Sequence, residues 1–263
     1  MKFASFPKFA LLFAIAGVLT LSLCGCGAAV SNLALTSGNW ALSANSTAAL
    51  KTSSSLSFVA GGNLNQSGAN LTGTMYIAQS LCITPQFISF TGTVKGKNVT
   101  LTSASFGGQV ISVTASGTNN SLTGTYTVTG NCADSGTVTA GPVPSISGTW
   151  SGTIPLATLG VAAPTVSVAL SQAATASEDG TFALSGTLTY SNSGCAVTGT
   201  ITNGSLAGNY IVSVNGTTDG GNDSFTFANV SLNSLTTATS MTGDYDDCNT
   251  SHNTQSVTLT KQQ

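Results

Sequence analysis

Short segments in which apolar and polar residues alternate run through most of the chain. This period of two is typical of antiparallel strands that bury one face and expose the other to solvent. No stretch after the first 25 residues has a helical period, so the pattern predicts an all-β fold preceded by a signal helix. The clearest alternating segments are residues 110–113, 165–170, 181–184 and 224–227.

Several dipeptides between these segments favour type I′ turns, in which both central residues need a positive φ. They are Asp179-Gly180, Asn203-Gly204 and Asn215-Gly216. We expect a hairpin turn at each of them. The spacing of the alternating segments predicts about eight short strands in each half of the chain.

The two halves of the chain contain the same landmarks in the same order. Trp40, within Ser-Gly-Asn-Trp, recurs as Trp150 within Ser-Gly-Thr-Trp. Gly73, within Leu-Thr-Gly-Thr, recurs as Gly186 within Leu-Ser-Gly-Thr. A cysteine, a Thr-Gly-x-Tyr segment and a second cysteine then follow in both halves. Such ordered self-similarity indicates a tandem repeat.

The break between the copies falls at Gly141-Pro142-Val143-Pro144, because proline lacks the N–H that a sheet ladder needs. We expect structural roles for Gly73 and Gly186. The predicted domains are a signal peptide over residues 1–25, a flexible tether over 26–35, a first β-barrel repeat over 36–141 and a second over 142–263.

Each repeat contains two cysteines, which we expect to pair in the oxidising compartment to which an exported chain is delivered. The predicted disulfides are Cys82–Cys132 and Cys195–Cys248. Metal ligation is the competing interpretation, but the members of each pair are far apart in sequence and no histidine lies near the first three. A redox role is disfavoured because the chain has no Cys-x-x-Cys motif after the leader.

Few charged residues are available to protect exposed strand edges, which favours two tandem antiparallel meander barrels that close on themselves. The Gly-x-Trp and Leu-[Ser/Thr]-Gly-Thr landmarks resemble the small eight-stranded barrels of the avidin and lipocalin group, the calycins. The resemblance implies a barrel architecture in which Trp40 and Trp150 fill the base of each barrel. Positions that face biotin in avidins here hold Met75 and Ile77, and Leu188 and Tyr190, so we do not expect biotin binding.

The first residues form a leader in which Lys2 and Lys8 precede an apolar run over residues 9–23, too short for a membrane-spanning helix. The segment Leu-Cys-Gly-Cys that ends at Cys26 resembles the bacterial lipobox. The resemblance implies cleavage before Cys26, lipidation of that cysteine, and anchoring at the outer membrane or cell surface. The alternative is ordinary signal peptidase cleavage after Ala29, which releases a soluble secreted protein.

Charged residues make up only 5% of the chain, with six lysines and no arginine. Binding to a phosphate backbone requires clustered basic residues, so nucleic acid is excluded as a partner. Seven of the eight acidic residues lie in the second copy, whereas Lys51, Lys95 and Lys97 lie in the first. This asymmetry indicates that the copies have diverged in surface role or that they face each other.

The chain offers little catalytic chemistry, because its one histidine, His252, lies in a polar segment near the end. No Gly-x-Ser-x-Gly motif is present, and no cofactor is expected. Weak calcium candidates are Asp219 and Asp223, and Asp244 and Asp246. Their spacing does not fit an EF-hand, and turn formation for the first pair and a solvated strand end for the second are the favoured interpretations.

These observations favour a non-enzymatic cell-envelope lipoprotein with a structural or binding role toward envelope or extracellular material. The alternatives are a carrier that holds a small apolar ligand inside a lipocalin-like barrel, and an enzyme of unknown type. An internal cavity lined by apolar side chains distinguishes the carrier. A cleft in which acidic residues or His252 converge distinguishes the enzyme.

Overall fold

The computed structural model describes residues 32–47, 57–79, 82–153, 165–191, 198–218, 224–232, 240–246 and 254–263. Within these ranges the regular structure is entirely β, as predicted, and no helix has the length and hydropathy to cross a membrane. The predicted signal helix lies outside the described residues. Residues Asn32–Gln263 form one compact unit. The division into repeats over 36–141 and 142–263 stays a prediction.

Sixteen strands follow one another along the described residues. In the first half they are β1 Gly38–Ser46, β2 Phe58–Ser67, β3 Asn70–Gln79, β4 Gln86–Lys95, β5 Asn98–Ser103, β6 Val110–Thr118, β7 Ser121–Thr129 and β8 Asp134–Pro142. In the second half they are β9 Gly148–Thr153, β10 Thr165–Gln172, β11 Phe182–Ser191, β12 Thr198–Ala207, β13 Tyr210–Thr218, β14 Ser224–Leu232, β15 Ser240–Asp246 and β16 Thr254–Lys261.

Strands β1 to β8 form a closed antiparallel barrel in which every strand pairs with its neighbour in sequence. Closure is made by β1, where Trp40 lies opposite Gly62 of β2 on one side and Pro142 of β8 on the other. The barrel therefore has no free edge, which confirms the prediction of an eight-stranded meander for the first copy.

Strands β9 to β16 form a second antiparallel sheet with the same sequential order. Strand β9 pairs with β10 over six residues and with β16 through two residue pairs, Ser151 with Thr260 and Trp150 with Lys261. Register shifts interrupt the ladders between β11 and β12, β12 and β13, and β14 and β15. The second sheet is therefore less regular than the first barrel.

Two of the three predicted turns are wrong. Asn203 of β12 and Asn215 of β13 face each other as partners within the ladder, next to a register shift. Residues that tolerate positive φ also suit a β-bulge, so the same dipeptide signal has two structural outcomes. The turn between these strands is instead at Gly208, whose φ is +62°. Asp179-Gly180 does lie in a turn, but within a longer connection over residues 173–181.

The first barrel has a regular inward face, as the alternating pattern predicts. In β5 every second residue is buried, and β7 and β8 follow the same rule over most of their lengths. The inward side chains belong to one hydrophobic cluster that includes Trp40, Phe58, Met75, Phe90 and Tyr126. Burial of this apolar surface is the main favourable term in folding.

Residues 32–36 close the end of the first barrel where β1 begins. Leu33 N donates to Gly96 O at 2.7 Å, and Leu35 N donates to the side-chain oxygen of Gln66 at 2.7 Å. The Leu35 side chain is buried in the barrel core. The last four residues of the predicted tether are thus attached to the barrel, and residues 26–31 lie outside the described part of the chain.

A disulfide crosses the opposite end of the first barrel. It joins Cys82 in the β3–β4 connection to Cys132 in the β7–β8 connection, with the Cα atoms 5.9 Å apart, and it confirms the predicted pairing. The bond closes a loop of 50 residues, for which the chain-entropy model gives a stabilisation of roughly 4 kcal/mol. Buried Ile83 packs beside it and helps to close this end.

Strand β1 is buried on both faces, unlike a strand in an isolated barrel. Trp40 and Leu42 point inward, whereas Asn39 and Ala41 point outward and are also buried. Ala41 belongs to the hydrophobic cluster of the second sheet, together with Ile146 and Trp150. The outer face of β1 therefore covers part of the core of the second sheet.

A pair of hydrogen bonds from Asn39 joins the two sheets. Its Nδ2 donates to Gly208 O at 2.8 Å, and its Oδ1 accepts from Gly208 N at 2.7 Å. The side-chain amide thus pairs with both the N–H and the C=O of Gly208, as a neighbouring backbone peptide would, in the turn between β12 and β13. The backbones approach so closely that a Cβ on Gly61 would lie 2.4 Å from the Cα of Gly208.

We predict that Asn39→Ala lowers the free energy of unfolding by about 1–3 kcal/mol, because it leaves the N–H and C=O of Gly208 buried without partners. Chemical denaturation measures the change. Asn65→Ala, on the exposed outer face of β2, is the matched control and should stay within about 0.5 kcal/mol of the parent. Equal losses in the two variants would contradict a role for Asn39 in joining the sheets.

Candidate binding surface

The interior of the first barrel is filled by its own side chains. Large side chains that point inward from different strands, such as Met75, Phe90 and Tyr126, each expose less than 5% of their surface. An internal cavity large enough for a ligand would leave accessible surface on these side chains. The described part of this barrel therefore holds packed side chains where a lipocalin-like carrier would hold its ligand.

One polar cluster lies inside the first barrel, near the disulfide end. The Tyr126 hydroxyl donates to a carboxylate oxygen of Asp134, and Ser46 Oγ donates to the other oxygen at 2.8 Å. The Tyr126 ring packs edge-on against Phe58, with the centroids 5.3 Å apart. Burial, then the hydrogen bond to Asp134 and its negative charge, raise the pKa of Tyr126 well above its usual range.

Trp40 and Trp150 occupy matching places at the start of the two sheets. Trp40 Nε1 donates to Thr36 O at 2.6 Å, and Trp150 Nε1 donates to Ile146 O at 2.7 Å, in each case four residues earlier. Both indoles are almost completely buried. Near each tryptophan, a glutamine from the second strand of the sheet accepts a backbone hydrogen bond: Gln66 Oε1 accepts from Leu35 N, and Gln172 Oε1 accepts from Ile146 N.

Gly73 and Gly186 lie where the backbone of a neighbouring strand passes very close. A Cβ on Gly73 would lie 2.3 Å from Asn63 O, and one on Gly186 would lie 1.8 Å from Ala169 O. Any larger residue at either position would force the paired strands apart. These contacts are the geometric basis for the structural roles that we expect for the two glycines.

Several of the residues singled out in the sequence have no described structure. Cys26, the Cys195–Cys248 pair, Asp219, Asp223 and His252 lie outside the described residues. Asp244 and Asp246 belong to β15, for which the structure describes the backbone alone. Among the described residues, no group of three or more His, Cys, Asp or Glu side chains is placed to hold a metal ion.

A polar groove lies outside the first barrel, between β2–β4 and the connection over residues 173–181. It consists of two clefts of about 330 and 270 Å³ that share Asn63 and Asn65 in their linings. Cross-strand partners form two rows on its floor: Asn63 with Thr74 and Ser89, and Asn65 with Thr72 and Thr91. The groove is therefore lined mainly by uncharged amides and hydroxyls.

The wall of the groove is a tightly bonded turn. Asp179 Oδ1 accepts from Ser177 Oγ at 2.7 Å, from Thr181 Oγ1 at 2.8 Å and from Thr181 N at 3.0 Å. Burial alone would raise the pKa of Asp179, but these hydrogen bonds outweigh it and lower the pKa. Gly180 lies against the floor, where a Cβ would be 2.3 Å from Thr74 O. The wall is thus held in a fixed position.

An aromatic pair continues the floor along the same strands. Tyr76 and Phe87 are cross-strand partners in the row next to Thr74 and Ser89. Their ring centroids are 4.9 Å apart with the planes tilted by 49°. Phe87 is 37% exposed and stands out as an exposed large hydrophobic side chain of the described residues. The outer face therefore combines an open aromatic surface with the polar rows.

This groove was not predicted from the sequence. The individual signals were present, since Asn63, Asn65 and the Asp179-Gly180 turn are all visible in the chain. What the sequence does not contain is the packing of the second half of the chain on β2–β4 of the first barrel. The predicted carrier cavity and the observed groove lie on opposite sides of the same sheet.

We predict that stability decreases above about pH 10, where the unfolded chain releases the Tyr126 proton and the folded protein retains it. The stabilisation from this group is fully present below that pH. In Tyr126→Phe, the free energy of unfolding should lose this part of its decrease with rising pH. Thr127→Ala, on the solvent face of the same strand, should retain it. Urea unfolding between pH 9 and 12 measures the slopes, and identical slopes in the parent and Tyr126→Phe would contradict the assignment.

Among solved structures, the chain is similar to the crystal structure of isotype 1 transferrin binding protein B from serogroup B Neisseria meningitidis. The two chains are 11% identical, and the match covers 89% of this chain and 78% of that one, with a TM-score of 0.29. No protein-family profile and no curated protein sequence matches the chain. Functional conclusions therefore depend on the geometry of the chain itself.

Proposed function

We propose that the chain is a non-enzymatic cell-envelope lipoprotein, anchored through Cys26 at the outer membrane or cell surface, which binds envelope or extracellular material with its outer surface. The observation that carries this proposal is the filled interior of the first barrel. Since that interior is occupied by Trp40, Met75, Tyr126 and their neighbours, recognition is assigned to the outside.

The anchor and the barrel are close together in the chain. Asn32 lies six positions after Cys26, and its side chain accepts from Gly96 N at 2.8 Å at the end of the first barrel where β1 begins. An extended segment of that length spans about 20 Å. Lipid on Cys26 would hold this end of the barrel near the membrane and leave the outer face of β2–β4 accessible from the side.

The proposal includes two barrels of common origin. Two matched sets of hydrogen bonds support a duplicated unit. The indoles of Trp40 and Trp150 make equivalent bonds. Ser37 accepts from the backbone N–H of Gln66, and Ser147 accepts in the same way from Gln172. Pairing of β9 with both β10 and β16 supports a second closed barrel. The Cys195–Cys248 disulfide would then repeat the staple observed in the first barrel.

We expect Cys26→Ser to lose the mass of the lipid and to leave the membrane fraction. Intact mass spectrometry and density-gradient fractionation of cells that express the full chain measure both effects. Cys24→Ser is the matched control and should keep both mass and location, because Leu23 is too bulky for the residue before a lipidated cysteine. Unchanged mass and location of the Cys26→Ser variant would refute lipid anchoring.

We expect the purified chain to give no saturable fluorescence increase with N-phenylnaphthylamine, an apolar probe that enters hydrophobic cavities. The described part of the first barrel has its large inward-pointing apolar side chains buried against one another and offers the probe no open apolar surface. A saturable increase that a long-chain fatty acid displaces would contradict the proposal and favour the alternative of a small apolar ligand carried inside a barrel.

A further inference from the structure

We infer that the outer groove between β2–β4 and residues 173–181 is a binding site for neutral carbohydrate chains. The inference rests on the proposed binding role and names the chemical class of its ligand. It is carried by three features of the described residues: unpaired amides on the groove floor, the scarcity of charge around them, and the adjoining aromatic pair.

The amides of the floor are available to a ligand. Asn63 is half-buried and Asn65 is exposed, and neither side chain makes a hydrogen bond to another described residue. An asparagine amide has two donor hydrogens and one acceptor oxygen, and each neighbouring serine or threonine hydroxyl both donates and accepts. A sugar hydroxyl also donates and accepts, so these rows complement a polyhydroxylated ligand.

The charge of the groove disfavours ionic ligands. Glu178 is the one charged residue in the lining of the larger cleft, and the smaller cleft has none. Anionic polymers would meet a carboxylate and no lysine there, and a single exposed carboxylate provides little affinity for a cation. A peptide that binds by adding a strand to the sheet would need a free strand edge, which the closed barrel does not have. Neutral saccharides remain the class that fits.

The aromatic pair supplies the second half of the recognition. Pyranose rings have an apolar C–H face, which packs on an exposed aromatic ring, and polar edges, which bind amides and hydroxyls. The Tyr76–Phe87 row is two residues along each strand from the Asn63–Thr74–Ser89 row, a spacing of about 7 Å. Phe87 lies on β4 and Asn63 lies on β2, two strands away. A saccharide chain of several units that extends from Phe87 past Ser89 toward Asn63 would therefore contact both rows.

The wall gives the groove its fixed width. Three hydrogen bonds to Asp179 hold the turn, and the turn touches Thr74 through Gly180. The Asn39–Gly208 hydrogen bonds fix the second sheet against β1 and β2 nearby. A groove that is already formed loses little conformational entropy when a ligand binds, which favours measurable affinity for a flexible polymer.

The test is affinity electrophoresis of the full chain, in a non-ionic detergent, through native gels that contain one polysaccharide each. Neutral probes are starch, laminarin, xylan, galactomannan and hydroxyethyl cellulose; anionic probes are alginate and dextran sulfate. We expect at least one neutral polymer to slow the protein, with a retardation that salt does not change, since no charge pair is involved.

Variants connect the retardation to the groove. Asn63→Ala combined with Phe87→Ala should weaken the association by about tenfold or more, because it removes one contact from each row. The control is Thr123→Ala combined with Thr125→Ala, two exposed positions on β7, across the barrel from β3. Thermal melts establish that each variant is folded, and Asn63→Ala alone serves if the double variant is not.

Three outcomes would overturn the inference: no retardation by any neutral polymer, retardation by the anionic polymers alone, or equal retardation of the groove variant and the β7 control. None of these results affects the mass or the location of the Cys26→Ser variant. Failure of carbohydrate binding is therefore distinguishable from failure of the proposed envelope lipoprotein.

Discussion

The pairing of β1 with both β2 and β8 is the interaction on which the rest of the described structure depends. It closes the first barrel and removes the strand edges that a chain with 5% charged residues has few means to protect. Closure also fixes which side chains point inward. Trp40, Tyr126 and their neighbours fill the described interior, and the outer face of β1 packs against the second sheet.

The junction between the two halves is built from small and neutral groups. Gly61 and Gly208 bring two backbones together, and the Asn39 amide satisfies the N–H and C=O that this approach buries. Since no ion pair is needed at this contact, no charge has to be desolvated. The groove beside the junction is also poor in charged side chains, and its floor consists mainly of amides and hydroxyls with an aromatic pair next to them.

Much of the first barrel was predictable from the chain because each signal was local or repeated. Alternation identified inward positions such as Ile111 and Val113, and the spacing of the alternating segments predicted about eight strands in the first half of the chain. The Cys82–Cys132 disulfide followed from the count of two cysteines per copy. Turn chemistry was less specific, because Asn203 and Asn215 lie opposite each other within a ladder near a register shift, while Gly208 makes the turn.

The sequence by itself determined the all-β class, the inward face of the first barrel and one disulfide, because strand periodicity and cysteine pairing are properties of the chain. Only the tertiary structure decided that β1 is buried on both faces and that residues 173–181 lie on β2–β4. Those contacts join residues more than a hundred positions apart, such as Asn39 with Gly208 and Thr74 with Gly180. No local pattern encodes them. Asn39, which joins the two sheets, and Asn65, which is exposed on the floor of the groove, are the same residue type in strands with the same kind of alternating pattern.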